Sequence, residues 1–119
     1  MQDYRKLHVW QKAHQLAIDT YTLPQYFLKP EAWPLRDQIM KSAISIPSNI
    51  AEGAGRGSNP DFSRLCWFSM GSCNELESQL LLARDVKFIK ENVHLRFEND
   101  LSNVRQMLTR FVQSLHDSQ

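Results

Sequence analysis

Apolar positions recur at helical spacing in four stretches of this 119-residue chain, and no stretch shows the strict alternation of a half-buried strand. Val9, Ala13, Leu16, Thr20 and Leu23, flanked by Trp10, Ala17 and Tyr21, predict a first helix over about residues 7–23. Thr22 to Pro30 contains two prolines and little periodicity, so it reads as a loop. Leu35, Ile39, Ala43, Ile46 and Ile50 mark a second helix over about residues 31–53, entered through Pro30 and Pro34, since proline is tolerated in a first turn. Pro47 lies inside it and is expected to kink the axis by freeing the carbonyl of Ala43.

Gly53 to Asn59 reads as a turn, with glycine stopping one helix and Ser58 or Asn59 capping the next. A third helix over about residues 60–86 then starts on Pro60 and Asp61. It carries Phe62, Leu65, Ser69, Ser72, Leu76 and Ala83 on one face and Trp67, Met70, Leu81 and Leu82 on another, so it is apolar nearly all round. Gly71 sits in its middle, where glycine costs about 1 kcal/mol relative to alanine, and close approach of a neighbouring backbone is expected there. The fourth helix, over about residues 91–115, has the cleanest seam: Val93, Phe97, Leu101, Val104, Leu108, Phe111 and Leu115 fall three or four apart, opposite a polar face. Four such segments on short links predict an all-α, antiparallel up-and-down four-helix bundle in one domain.

The second helix also carries a polar stripe of small residues. Gln38, Ser42, Ser45, Asn49 and Glu52 follow one another four, three, four and three apart, where a solvated face would hold Lys, Glu and Arg. Hydrogen bonding across a close helix contact is the expectation. Asn49 and Glu52 are read with Ser72, Glu75 and Gln79 of the third helix as a structural polar network that fixes register.

Composition adds limits. Hydrophobic residues at 42% and charged residues at 23% describe a folding chain, and a formal net charge of +1 gives no strong field, so any nucleic-acid contact must be local. The polar start of the sequence lacks a secretion signal, and no apolar run approaches the roughly 18 to 20 residues of a membrane span, so a soluble, cytoplasmic protein is expected. Cys66 and Cys73 lie two turns apart on one helix, about 10 Å along it, and read as reduced, packed thiols.

Two segments, QIMKSAISIPSNIAEG over 38–53 and GSCNELESQLLL over 71–82, resemble the four-helix-bundle family of ribosomal RNA intervening-sequence proteins. The likeness extends to Val9-Trp10-Gln11-Lys12-Ala13, the Pro30-Glu31 entry, Arg56 after the glycine turn, and Phe62 and Arg64, covering about residues 7–89. That family is similar to the accessory variability protein of diversity-generating retroelements. The resemblance implies a homopentameric barrel with a nucleic-acid or reverse-transcriptase partner, and no established reaction.

Candidate chemistry is sparse. Glu91-x-x-His94 is half of a di-metal bundle motif, the second half is absent, and both residues are expected in a solvated first turn. The Gly53, Gly55, Gly57 turn lacks the Lys-Ser/Thr ending of a phosphate loop, and no histidine falls in the serine-bearing segments that a hydrolase would need. No catalytic residue, metal site or cofactor is therefore expected. Seven basic and five acidic residues through Pro60 leave an excess of two. Lys12, Lys41, Arg56 and Arg64 are the candidates for nucleic-acid backbone contact, to RNA or DNA, with a protein partner as the alternative. Glu52 lies four residues before Arg56 in the favourable order for a helix ion pair, which would commit that arginine internally.

Overall fold

The computed structural model describes residues 2–118 and contains four α-helices and no strand among them. α1 spans His8–Thr20, α2 Trp33–Ala54, α3 Asn59–Asp85 and α4 Glu91–Asp117. The last two, at 27 residues each, are about 40 Å long, matching the long axis of a molecule measuring 49 × 20 × 20 Å. α2 packs on α3, α3 on α4, and α1 on both α2 and α4, so consecutive helices fold back side by side around one core.

α1 ends at Thr20, three residues earlier than the periodicity suggests. Pro24 has no N–H to donate to the Thr20 carbonyl, and the Thr20 and Thr22 hydroxyls instead donate to the carbonyls of Ala17 and Asp19 at 2.7 and 2.6 Å. The chain then passes through short 3-10 turns at Leu23–Gln25 and Pro30–Ala32. Leu23 and Phe27 are buried, pinning this connection to the core.

α2 runs uninterrupted through Pro47 and past Gly53, ending at Gly55 with φ −84° and ψ −5°. The glycine stop thus needs no left-handed residue. Gly53 is buried inside the helix, and here lies the close helix approach: a Cβ built on it would fall 2.6 Å from Phe62 Cδ1 and 3.1 Å from Leu65 Cβ. Gly71, expected to fill that role, faces open space, with nothing within 4 Å of a built Cβ. It projects away from the core on an exposed face of α3.

Ser58 caps α3 as expected, its Oγ accepting from the Asp61 N–H at 3.3 Å. The α3–α4 link turns on Lys87, whose φ of 66° is left-handed and unusual for a residue with a side chain. Ile89 is buried behind it and Phe88 packs edge-on against Phe27 at 6.2 Å, so packing of the flanking residues holds the turn. The α4 seam is buried at Val93, Phe97, Leu101, Val104, Leu108 and Leu115, while Phe111 is partly covered.

Candidate interaction faces and polar seams

The α2–α3 contact is stitched by neutral groups. Ser45 Oγ and Ser72 Oγ lie 2.8 Å apart, and Asn49 Nδ2 donates to both the carbonyl and the hydroxyl of Ser45 at 2.9 and 3.1 Å. Deeper in, Ser69 Oγ donates to the Ile46 carbonyl at 2.8 Å and is fully buried. Of the five residues expected to form one network, Asn49 and Ser72 meet through Ser45. Glu52 turns outward and binds Arg56 at 2.7 Å, Glu75 is exposed, and Gln79 is half-buried with its Oε1 unpartnered. The reason is geometric: Glu52 precedes the buried pair Gly53 and Ala54 and lies on the exposed side of the last turn of α2, away from the α3 contact. Ser45 and Ser69 add the further contacts, Ser45 from the polar stripe of the second helix and Ser69 from the apolar face of the third.

The α3–α4 contact holds an ionic cluster instead. Arg105 reaches Glu77 Oε2 at 3.3 Å, and His94 Nε2 lies 3.9 Å from Glu98 Oε2. His94 is 3% exposed and neither ring nitrogen has a hydrogen-bond partner, which corrects the solvated first turn expected for it. Its position explains the burial: His94 falls three residues before Phe97 and seven before Leu101, on the edge of the core seam. Glu91, by contrast, is exposed and sits 4.0 Å from Arg84.

Burial pushes the Glu98 carboxyl above its ordinary value, and the adjacent Glu77 adds to the effect. Glu77 is held low by its hydrogen bond with Glu98 and by the Arg105 guanidinium. Among the described residues no three His, Cys, Asp or Glu side chains are placed to hold a metal ion. Cys66 and Cys73 are buried free thiols, each pushed up to about 12 by burial.

The four candidate nucleic-acid cations do not converge. Arg56 is paired with Glu52, and Arg64 lies 3.6 Å from Asp61 with its guanidinium 5.5 Å from the centre of the Phe68 ring. Lys41 stands exposed on α2, and Lys12 stands exposed beside a hollow between α1 and α4.

Large apolar side chains remain uncovered on two sides. Between α1 and α2, Ile18, Tyr21 and Ile44 flank a cavity of about 410 Å³ in which Trp10 stacks on His14 at 4.5 Å. On α3, Trp67 is 58% and Phe68 51% exposed, with Leu82 also largely open. No helix among the described residues is long and apolar enough to cross a membrane.

A solved structure with the same architecture is a protein of unknown function from the S23 ribosomal protein family of Bacteroides thetaiotaomicron. It superposes with a TM-score of 0.80 at 23% identity, over 87% of this chain and 97% of that one, a likeness of fold. Among curated proteins none matches the chain. The profile of the 23S rRNA-intervening sequence protein family matches residues 5–110. With most of its length matched and its four helices arranged as the resemblance implied, the chain belongs to the 23S rRNA-intervening sequence protein family.

Proposed function

We propose that the protein acts as a non-enzymatic, cytoplasmic homo-oligomer, a closed ring of bundles that serves as an adaptor for nucleic acid or for a reverse transcriptase. The observation that carries the assembly is the pair of uncovered apolar faces, one at the α1–α2 groove around Tyr21 and one on α3 around Trp67 and Phe68. Such side chains are costly to leave in water, and two unlike faces on one subunit favour head-to-tail contacts, which close into rings. Five subunits is the number favoured by the resemblance to pentameric relatives. Gly71, open on α3, fits the same reading as a place where another copy approaches.

Light scattering at micromolar concentration tests the assembly. Five chains of 13.9 kDa give about 70 kDa, and a monomeric mass refutes the proposal. A second reading, a protein scaffold without a nucleic-acid role, draws support from the ion pairs that occupy Arg56 and Arg64. Filter binding of RNA by the wild-type protein at about 50 mM salt separates the two, because backbone contacts are strongest at low ionic strength.

A further inference from the structure

We infer that the groove between the start of α1 and the end of α4 holds a single nucleic-acid strand, with its phosphates on Lys6, Lys12 and Arg110. This inference rests on the nucleic-acid part of the reading above and moves the contact away from Lys41, Arg56 and Arg64. Two adjoining hollows, of about 400 and 260 Å³, share His8 and Met107 as walls. Lys6 and Arg110 line the larger and Lys12 the smaller, and no carboxylate lines either. None of the three cations takes part in an ion pair among the described residues, whereas the arginines of the α2–α3 side do.

The first turn of α1 adds to the field. It has no capping side chain and no acidic residue, so the positive end of its dipole is left unscreened beside the larger hollow. Leu7, Met107 and Phe111 give the groove an apolar floor against which a base can rest. Charge complementarity thus selects an anion, and the floor selects one with an apolar plane between its charges.

The test compares wild type with Lys12→Gln, Arg110→Gln and, as control, Lys41→Gln, using a mixed-sequence single-stranded RNA of about 20 nucleotides. Lys12, Lys41 and Arg110 are all exposed and unpaired, so the variants should keep the wild-type mass. Three phosphate contacts to a single strand predict roughly an 18-fold loss of affinity from 50 to 200 mM salt, falling to about 7-fold when one contact is removed. Lys12→Gln and Arg110→Gln should each weaken binding and flatten the salt dependence in this way, with Lys41→Gln unchanged. Equal effects of all three substitutions, no effect of the groove pair, or a fall in mass accompanying lost binding would overturn the groove assignment alone. Displacement by inorganic phosphate beyond its ionic-strength effect, or preference for a duplex, would also overturn it. No retention of RNA by the wild type overturns both this inference and the nucleic-acid reading beneath it.

Discussion

Gly53 and Gly71 both lie inside long helices, and substituting each by alanine should move stability in opposite directions. At Gly53 the new methyl would sit 2.6 Å from Phe62 Cδ1, nearer than side-chain carbons approach, and 3.1 Å from Leu65 Cβ. Phe62 is buried and its ring packs edge-on against Phe111 at 5.1 Å, so displacing the ring disturbs that contact. Overpacking of this kind costs about 1 to 3 kcal/mol, and the severity of the contact places Gly53→Ala in the upper half of that range. Alanine recovers about 0.8 to 1.0 kcal/mol of helix propensity, leaving a net destabilisation of about 1 to 2 kcal/mol. At Gly71 the propensity gain stands alone, because nothing lies within 4 Å. For a chain of this size 1 kcal/mol corresponds to about 4 °C in Tm. Gly53→Ala should therefore melt about 4 to 8 °C lower and Gly71→Ala about 3 to 4 °C higher, by circular dichroism at matched concentration, since oligomers melt with a concentration dependence. Equal shifts at both sites, or a stabilised Gly53→Ala, would refute the assignment of the close approach to Gly53. Gly71→Leu meets no clash within the chain, so a drop in oligomer mass with helix content intact would place a second copy against that face.

The Glu77–Glu98 pair sets a pH dependence of definite sign. The raised Glu98 contributes stability that is present below its unfolded value and lost as pH rises through its folded one, whereas the lowered Glu77 contributes stability lost as pH falls through its folded value. Stability should peak at mildly acidic pH, and Glu98→Gln should raise Tm at pH 8 while changing little near pH 4; a profile unaltered by the substitution would contradict the raised Glu98 carboxyl. For the thiols, both cysteines are fully buried and pushed up to about 12, so native protein at pH 8 should resist a disulfide reagent while two equivalents react in denaturant. Rapid stoichiometric labelling of the native protein would show that the burial is wrong.

The elements that were legible in sequence are those whose signal is local. The α4 seam stood out because a polar face opposes it, and the Ser58 cap with Pro60 and Asp61 stood out because capping uses neighbouring residues. The Glu52–Arg56 ion pair was legible for the same reason, being set by spacing within one helix. The two glycines were not: Gly53 read as a helix stop and Gly71 as the point of close approach, and only the register of α2 on α3 decides which meets a neighbour. His94 was misplaced because its position in the first turn of α4 suggested solvent, while its spacing to Phe97 and Leu101 carried the correct signal. Of the groove cations Lys12 was legible as a candidate, but its grouping with Lys6 and Arg110 was not, because that depends on the register of α4 against α1, which neither segment encodes.

The distribution of small and large residues explains why the hollows lie where they do. Where α2 meets α3 the contact includes Ser45, Gly53, Ser69 and Ser72 with neutral hydrogen bonds, so the two helices approach closely. Where α1 meets α4, Met107 and Phe111 are partly buried and line a hollow at the surface. A closely approached contact gains register and loses surface, whereas a contact with a hollow at its rim keeps a groove whose walls can vary without loss of the fold. The α2–α3 seam is therefore the part of the chain on which stability depends. Substitutions at the exposed positions of α1 and the end of α4, such as Lys12 and Arg110, are the ones expected to change what the bundle binds while leaving its melting behaviour nearly as it was.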